Sequence, residues 1–595
     1  MTSRNSRSNV AESIYHDSVK FSLPQEPIDY ARTMRVALIG GGMSGIACAY
    51  YLRKQIQNID VTIYEKNHDF GGTWLENKYP GVACDVPAHS YVFTFAPNPD
   101  WSEFYASGHE IGEYVKGVAE KFELRAITKF NHRLTRAEWN EQDGKWHLNV
   151  QDANNDAEFT DNADVVISCT GVLNHWEWPN IEGMDLYKGK IIHTADWYLE
   201  PEGPAWNNRN VAVIGYGSSA LQVVPALLPH ANHIDNYVRG GTWIGPGSAR
   251  TVLERYSDGN TGNHIYTEEE KRNFREHPEK LIEHRRELDD LLNGSHLVTL
   301  AASPVNGFAR QMYTKQMRQM LSPKPELADI LVPDYPPSCR RLTPNVQYLT
   351  ALLKDNITVV TSEIKGFTET GLETTDGVRR DYDVVVTATG FVTTSVPRFP
   401  IIGSESINLQ DAWSDIPQTY MGLCQEKFPN WFQLAGPNSA FATGSIVMPI
   451  ERQAQWVTKC VSKMQKQGIK SMVVRKEAVD DFQAYVESYF PKTAFAHGCR
   501  SWYKRGQVDG KITALWPGST VHLMRALEQP RFEDFEYAYL ATNPTGNRFH
   551  WLGNGSTAAQ DGMRVGERAW YVTGRPDDES GAMPLTTTGV LHAGA

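Results

Sequence analysis

Two glycine-rich turns carry the first recognisable chemistry in this chain: Gly40-Gly41-Gly42-Met43-Ser44-Gly45 and Gly215-Tyr216-Gly217-Ser218-Ser219-Ala220. Glycines at this spacing take a strand tightly into a helix whose first N–H groups can face an anionic phosphate pair. Gly40 would make the turn, Gly42 would let the backbone approach a pyrophosphate, and Gly45 would pack helix on strand. At the second turn Gly215 and Gly217 repeat the first two roles, and Ala220 is a permitted replacement for the third glycine. Two nucleotide sites in one polypeptide point to two redox cofactors that must meet.

The flanking segments suit that chemistry. Met34–Ile39 reads as a short buried strand, followed by a helix from about Met43 to Gln55 and a strand from Val61 to Glu65. Glu65 stands 20 residues after Gly45, placed to accept hydrogen bonds from a ribose hydroxyl. The pattern repeats with a strand Asn210–Ile214, a helix Ser219–Leu228 and a strand Ile234–Val238, which ends on Arg239. A cation there favours a 2′-phosphate, hence NADP over NAD. The plainer readings are structural glycines at both turns and an arginine facing solvent.

A second repeat sets the division of the chain. Asp164-Val-Val-Ile-Ser-Cys-Thr-Gly171 resembles Asp383-Val-Val-Val-Thr-Ala-Thr-Gly390, each a late strand placed where a nucleotide domain would close. The fold expected is α/β, with two Rossmann-like dinucleotide-binding domains and a helical insertion. The first domain comprises 34–174 and 386–540, the second 175–247 and 333–385. An N-terminal arm (1–33), a helical insertion (248–332) and a C-terminal extension (541–595) complete the chain. Within the insertion, Thr267–Leu292 has helical spacing at Phe274, Leu281, Leu288 and Leu292, and a loop is expected near Asn293-Gly294. Another helix is expected from about Pro449 to Gln467.

Composition narrows the class. With 595 residues, 41% hydrophobic and 22% charged, the chain has the make-up of a soluble multidomain protein. Its formal charge of −12 disfavours a general nucleic-acid or anionic-membrane surface. No apolar run is long enough to span a bilayer, and the polar N-terminus lacks a secretory core, so a cytoplasmic protein is expected. The seven cysteines (Cys48, Cys84, Cys169, Cys339, Cys424, Cys460 and Cys499) are scattered and form no CxxC pair, so neither disulfides nor a metal site are expected.

Between Gly71 and Asp85 lies a glycine-rich loop with Trp74, a rigid Tyr79-Pro80-Gly81 turn and a terminal acid, suited to lie against a flat ring system. This loop resembles the pattern (A/G)GxWxxxx(F/Y)P(G/M)xxxD of type I Baeyer–Villiger monooxygenases, and every fixed position fits. Tyr187–Trp197 resembles their fingerprint FxGxxxHxxxW, with Tyr187 for Phe and with Gly189, His193 and Trp197 in place. Tyr198 departs from the Pro or Asp usual after the tryptophan. Pro333–Leu342 is similar to the family's Lys-Arg motif, with Arg340 in place of lysine. Ala388–Phe391 and Gly436-Pro437-Asn438-Ser439 are also family-like, and the resemblance runs from about Arg35 to Tyr537. Its flavour is of fungal members acting on secondary metabolites.

The resemblance implies FAD in the first site and NADPH in the second. Dioxygen would add to the reduced flavin to give a C4a-peroxyflavin, whose anion attacks a ketone to yield an ester or lactone. It implies Arg341 as the catalytic cation and Asp85 as the group that orients it. For FAD it implies Gly40, Gly42, Ser44, Gly45, Glu65, Thr73, Trp74, Asp85 and Tyr91. For NADP it implies Gly215, Gly217, Ser218, Ser219, Ala220, Arg239, Arg340, Arg341 and Trp502, with Thr242 as a further phosphate ligand. His193 is expected to couple the domains rather than to transfer protons, and Gly189 to supply an unusual backbone angle. The partners expected are a small-molecule ketone, bulky or polycyclic, and O2, in a monomer or homodimer. Two alternatives remain at this stage. One is a flavin-containing N- or S-oxygenase on the same scaffold, although that family carries Tyr or Phe where this chain has Trp197. The other is a non-catalytic NADP(H)-binding redox sensor.

Overall fold

The computed structural model describes residues 21–198, 206–245, 247, 249–256, 262–543, 545–558 and 560. Two five-stranded parallel sheets dominate it. The first has the order Trp431–Gln433, Val165–Ser168, Met34–Ile39, Ile59–Glu65, Thr128–Phe130. The second has the order Ile357–Val360, His233–Tyr237, Asn210–Ile214, Val384–Thr387, Lys190–His193. Strands so rich in Val and Ile are buried on both faces, as parallel sheets require. The two ladders are built alike. Ile39 pairs with Ser168 in the first, and Ile214 pairs with Thr387 in the second. Each glycine turn therefore leaves its sheet beside a strand that is followed closely by Thr-Gly, at Thr170-Gly171 and Thr389-Gly390.

Helix Met43–Gln55 lies on the first sheet and packs against helix Val447–Lys466, which returns from late in the chain. A buried polar contact joins them: the Tyr51 hydroxyl donates to Glu451 Oε2 at 2.7 Å, and the Thr94 N–H donates to Glu451 Oε1 at 2.6 Å. Helix Ser218–Leu227 does the corresponding work on the second sheet. A four-stranded sheet (Ile401–Ile402, His132–Asn140, Lys145–Asp152, Ala157–Ala163) and a three-stranded one (Ile364–Phe367, Gly371–Thr374, Arg379–Asp381) lie beside the main sheets.

The helical insertion differs from its expected form. Its charged stretch is two helices, Glu268–Glu276 and Pro278–Gly294, and the break falls at His277, where Pro278 opens the second helix. No loop interrupts the chain at Asn293-Gly294, which runs on into a turn at Ser295–Thr299. The apolar stripe Phe274, Leu281, Leu288 and Leu292 buries in the core of the first sheet. Helix Pro304–Met320 buries Ala309, Tyr313 and Met317 with the second sheet. The insertion is therefore shared between the two halves rather than belonging to the second alone. The C-terminal segment also finds a partner. Ile28 N–H donates to Ser556 O at 3.0 Å and Asn554 N–H to Glu26 O at 2.9 Å, so the two ends of the described chain are clasped together. No described helix is long and apolar enough to cross a membrane.

Candidate active site

The two turns have the geometry of phosphate cradles. Gly40 has φ +115°, and a side chain there would strike Cys169 O at 2.6 Å; Gly215 has φ +135° and would strike Ala388 O at 2.4 Å. A Cβ on Gly217 would meet nothing within 4 Å, and one on Gly42 would face only Gly72, with Cα at 3.5 Å. Both helices start on an N-cap glycine without a side-chain cap, so no side chain takes up their first N–H groups. Glu65 is buried behind the first turn, accepting from Gly41 N–H at 2.6 Å and from Asn67 N–H at 2.7 Å. Burial pushes its carboxyl above the usual range, and the two backbone N–H groups oppose that. Each oxygen keeps a second lone pair for a ribose hydroxyl. Ser44 is buried in the turn, Thr73 is exposed, and Trp74 meets Tyr91 edge to face with centroids 5.6 Å apart.

Asp85 and Arg341, 256 residues apart in sequence, form a two-bond ion pair. Arg341 Nε donates to Oδ2 and Nη2 to Oδ1, both at 2.7 Å. The side chains are 32% and 23% exposed for Arg341 and Asp85, so the pair is shielded on one side and open on the other. Asp85 holds the Arg341 guanidinium further into its charged form, against the opposing effect of burial. Two of the five guanidinium N–H donors are spent on Asp85, which leaves three for another oxyanion.

The loop that ends in Asp85 is held to the second sheet's first helix. The Tyr79 hydroxyl donates to Gln222 Oε1 at 2.7 Å, and Gln222 Nε2 donates to Ala83 O at 2.9 Å. Gly81 lies so near Gln222 O that a Cβ would stand 2.7 Å away. The arginine loop is fixed to the same helix, with Asn345 Nδ2 donating to Leu221 O at 2.7 Å. The ion pair is thus the junction of two loops docked on one helix.

The phosphate-binding candidates at the second turn differ in exposure, and Tyr335 lies between two of them, Thr242 and Arg340. Ser218 is exposed at the helix start, 3.5 Å from Thr343 by its hydroxyl; Ser219 is half-buried and Ala220 fully buried. Arg239 is exposed and makes no ion pair among the described residues. Arg340 is half-buried, its charge acting on the phenols of Tyr216 and Tyr335. Thr242 is buried, next to the Gly241 carbonyl that accepts from Tyr335 at 2.8 Å. Trp502 is half-buried with its ring 4.7 Å from Tyr503, and the Tyr503 phenol feels the charges of Arg341 and Asp85.

The fingerprint segment forms the edge strand Lys190–His193, with His193 opposite Thr387. His193 is fully buried and stacks on Trp176 with centroids 4.4 Å apart. Its Nδ1 accepts from Ala195 N–H at 3.1 Å, so Nε2 carries the proton and faces Thr389 Oγ1 at 3.2 Å. Burial lowers its pKa to about 4. Gly189 requires a correction: its φ lies outside the left-handed region, and the glycine is needed because a Cβ would stand 2.3 Å from the Tyr187 hydroxyl. Trp197 is buried, and its indole N–H has no partner among the described residues.

The His193 pKa carries a stability prediction. The unfolded histidine takes up a proton near pH 6.5, but the folded one does so only near pH 4. The stabilisation is therefore complete above the unfolded value and is lost as pH falls through this window, by at most about 3 kcal/mol. His193→Gln should lose less stability than the wild type between pH 7 and pH 5 in urea denaturation. Parallel losses in the two proteins would contradict the assignment.

One expectation from the cysteines fails outright. Cys339 and Cys499, 160 residues apart, form a disulfide, while the other five cysteines are free and buried. Distant pairing of this kind leaves no spacing signal. Tyr79 and Gln222 were missed for a related reason, since a glutamine on a helix reads as surface and only the fold brings Tyr79 to it. No group of three or more candidate metal ligands occurs among the described residues.

Comparison with known proteins places this geometry. Residues 38–107 match the sequence model of an NAD(P)-binding Rossmann-like domain, and residues 95–393 that of L-lysine 6-monooxygenase/L-ornithine 5-monooxygenase. The FAD-binding monooxygenase tazF of Aspergillus terreus is 39% identical, over 91% of this chain and 95% of that protein. A Baeyer–Villiger monooxygenase of Pseudomonas aeruginosa is 33% identical, over 86% of this chain and 93% of that protein. The crystal structure of OTEMO in complex with FAD and NADP superposes with a TM-score of 0.74 at 25% identity, covering 86% of this chain and all (100%) of that one. The chain belongs to the family of FAD-binding monooxygenases that includes the Baeyer–Villiger monooxygenases.

Proposed function

We propose that this chain is an NADPH- and O2-consuming, FAD-dependent Baeyer–Villiger monooxygenase. It inserts oxygen next to a ketone carbonyl to give an ester or lactone, on a bulky or polycyclic ketone. The observation that carries the reading is the Asp85–Arg341 pair, a fixed cation with free donors at the junction of the loops beside the two turns.

The residues present fit both cofactors. Open space at Gly217 and the facing glycines Gly42 and Gly72 leave room for pyrophosphates that a side chain would fill. Gly40, Gly42, Ser44, Gly45, Glu65, Thr73, Trp74, Asp85 and Tyr91 would hold FAD. Gly215, Gly217, Ser218, Ser219, Ala220, Arg239, Arg340, Arg341 and Trp502 would hold NADPH. Bound FAD, reduced by NADPH, supplies the activation of O2. The chain supplies position and charge. Arg341 stabilises negative charge on oxygen during attack on the carbonyl, in a setting where a guanidinium cannot lose its proton. Asp85 fixes the orientation of that cation through two bonds and moderates its field. His193, held neutral by burial, has the part of a domain-coupling residue on the fingerprint strand and not of a proton donor.

A second reading, N- or S-oxygenation, is favoured by the match to the lysine/ornithine monooxygenase sequence model. Incubation with a cyclic ketone panel and a thioether separates the two. Ester or lactone is expected; sulfoxide or N-oxide without any ester would sink the proposal.

Arg239 tests the coenzyme assignment. Its side chain is exposed and makes no ion pair among the described residues, so it can meet a 2′-phosphate, and a charge-assisted contact of this kind is worth about 1.5–3 kcal/mol. Arg239→Ala should therefore cut the preference for NADPH over NADH, as a ratio of kcat/KM, by roughly 10–100-fold. Equal use of both coenzymes by the wild type would refute the role.

A further inference from the structure

The disulfide joins the segment that carries Arg340 and Arg341 to the one that carries Trp502 and Tyr503. Cys339 lies directly before Arg340 and Arg341, and Cys499 lies three residues before Trp502. Both sulfurs are buried. The late loop is a unit on its own: buried Lys504 donates to His497 O at 2.8 Å and to Val508 O at 2.6 Å, gathering the loop around its ammonium. Its far end is fixed by Asn438, whose Nδ2 donates to Ile512 O at 3.2 Å and Leu515 O at 3.0 Å. Thr513 N–H closes back on Tyr503 O at 3.0 Å. These contacts fold and anchor the loop without reaching the arginine loop; the crosslink is the covalent tie between the two.

The electrostatics agree with that reading. Tyr503 is fully buried, its hydroxyl has no partner among the described residues, and it lies within the fields of Arg341, Asp85 and Arg340. A loop free to shift would carry Tyr503 away from these charges.

We propose that Cys339 and Cys499 are positioning residues: their disulfide holds the Trp502–Tyr503 loop in register on the Arg340–Arg341 loop, and opening it weakens the coenzyme site. The chemical change is thiol–disulfide exchange, in which a dithiol reduces the bond to two protein thiols and is itself oxidised to its disulfide. Preorganisation of a site lowers the cost of binding, and that contribution is what the open form loses. The proposal rests on the second turn being the NADP(H) site.

The test compares oxidised wild type, the same protein reduced by dithiothreitol, the reduced protein reoxidised, and Cys339→Ala/Cys499→Ala. Non-reducing peptide mass mapping should find the Cys339–Cys499 pair in the first and third samples. Hydrogen exchange should rise on reduction in 338–345 and 494–516 and nowhere else, and fall again on reoxidation. The dissociation constant for NADP+ should rise roughly fivefold or more in the reduced and double-alanine proteins, with FAD retained. A purely structural staple would lower Tm and leave both the local exchange and NADP+ affinity unchanged, which would overturn the proposal. So would failure to find the pair even after treatment with oxidant. If no sample binds NADP+, the coenzyme assignment fails; the exchange pattern still decides whether the crosslink positions the loop.

Discussion

Arg341→Ala will cut the rate of ester formation by about 10²–10³ while NADPH-driven flavin reduction stays measurable. The two steps separate because they ask different things of the site. Reduction needs the nicotinamide brought to the flavin, a step in which the proposed coenzyme site at the glycine turn has a part that does not pass through the Arg341 charge. Oxygen insertion needs a cation fixed where negative charge develops on oxygen, and Arg341 is the one arginine that a carboxylate holds at the junction of the two loops. Removal of one preorganised charge-stabilising group costs about 10²–10³ in rate, roughly 3–4 kcal/mol. Arg341→Lys should fall between the two, since an ammonium keeps the charge and loses the planar fork that meets both oxygens of Asp85. Rapid mixing would follow flavin bleaching, and chromatography would quantify product and hydrogen peroxide per NADPH consumed. Full ester yield from the alanine variant would remove Arg341 from the mechanism.

How much of this site was legible before the fold was known depends on the reach of each interaction. The glycine turns were legible because strand, turn and helix are contiguous, so spacing alone exposes them. Glu65 was legible for the same reason, at the end of the strand that follows its own turn, whereas Arg239 stands two residues beyond its strand His233–Tyr237. Asp85 and Arg341 were not: no periodicity links residues 256 apart, and only likeness to a family joined them. The same holds for Cys339 and Cys499, whose pairing overturned an expectation drawn from the absence of CxxC. Gly189 shows a subtler limit. Its need was visible in the sequence, but the cause, a tyrosine ring laid against it, was not. The stripe Phe274–Leu292 announced that its helices would be buried, yet hydrophobic spacing carries no label for the surface it meets, and the partner proved to be the first sheet.

Asp85→Ala should reproduce most of the Arg341→Ala defect while leaving the arginine in place. Without the carboxylate, two guanidinium donors lose their acceptors in a partly shielded setting, and the side chain is free to turn toward water. Breaking a fully buried pair costs about 3–5 kcal/mol. Here each side chain keeps a quarter to a third of its surface, so solvent recovers part of that cost and about 1–3 kcal/mol of stability is expected to be lost. The loss of position is the larger functional effect, because a misplaced group about 1 Å from its working position can cost roughly 10² in rate. Asp85→Asn keeps one acceptor and should be closer to wild type in Tm than Asp85→Ala, yet still deficient in product. The decisive comparison is the double variant. If Asp85 acts through Arg341, adding Asp85→Ala to Arg341→Ala should cost little further activity, since the two residues work as one unit. Losses that multiply in the double variant would mean that Asp85 acts on the reaction by itself, and the division of labour within the pair would have to be redrawn.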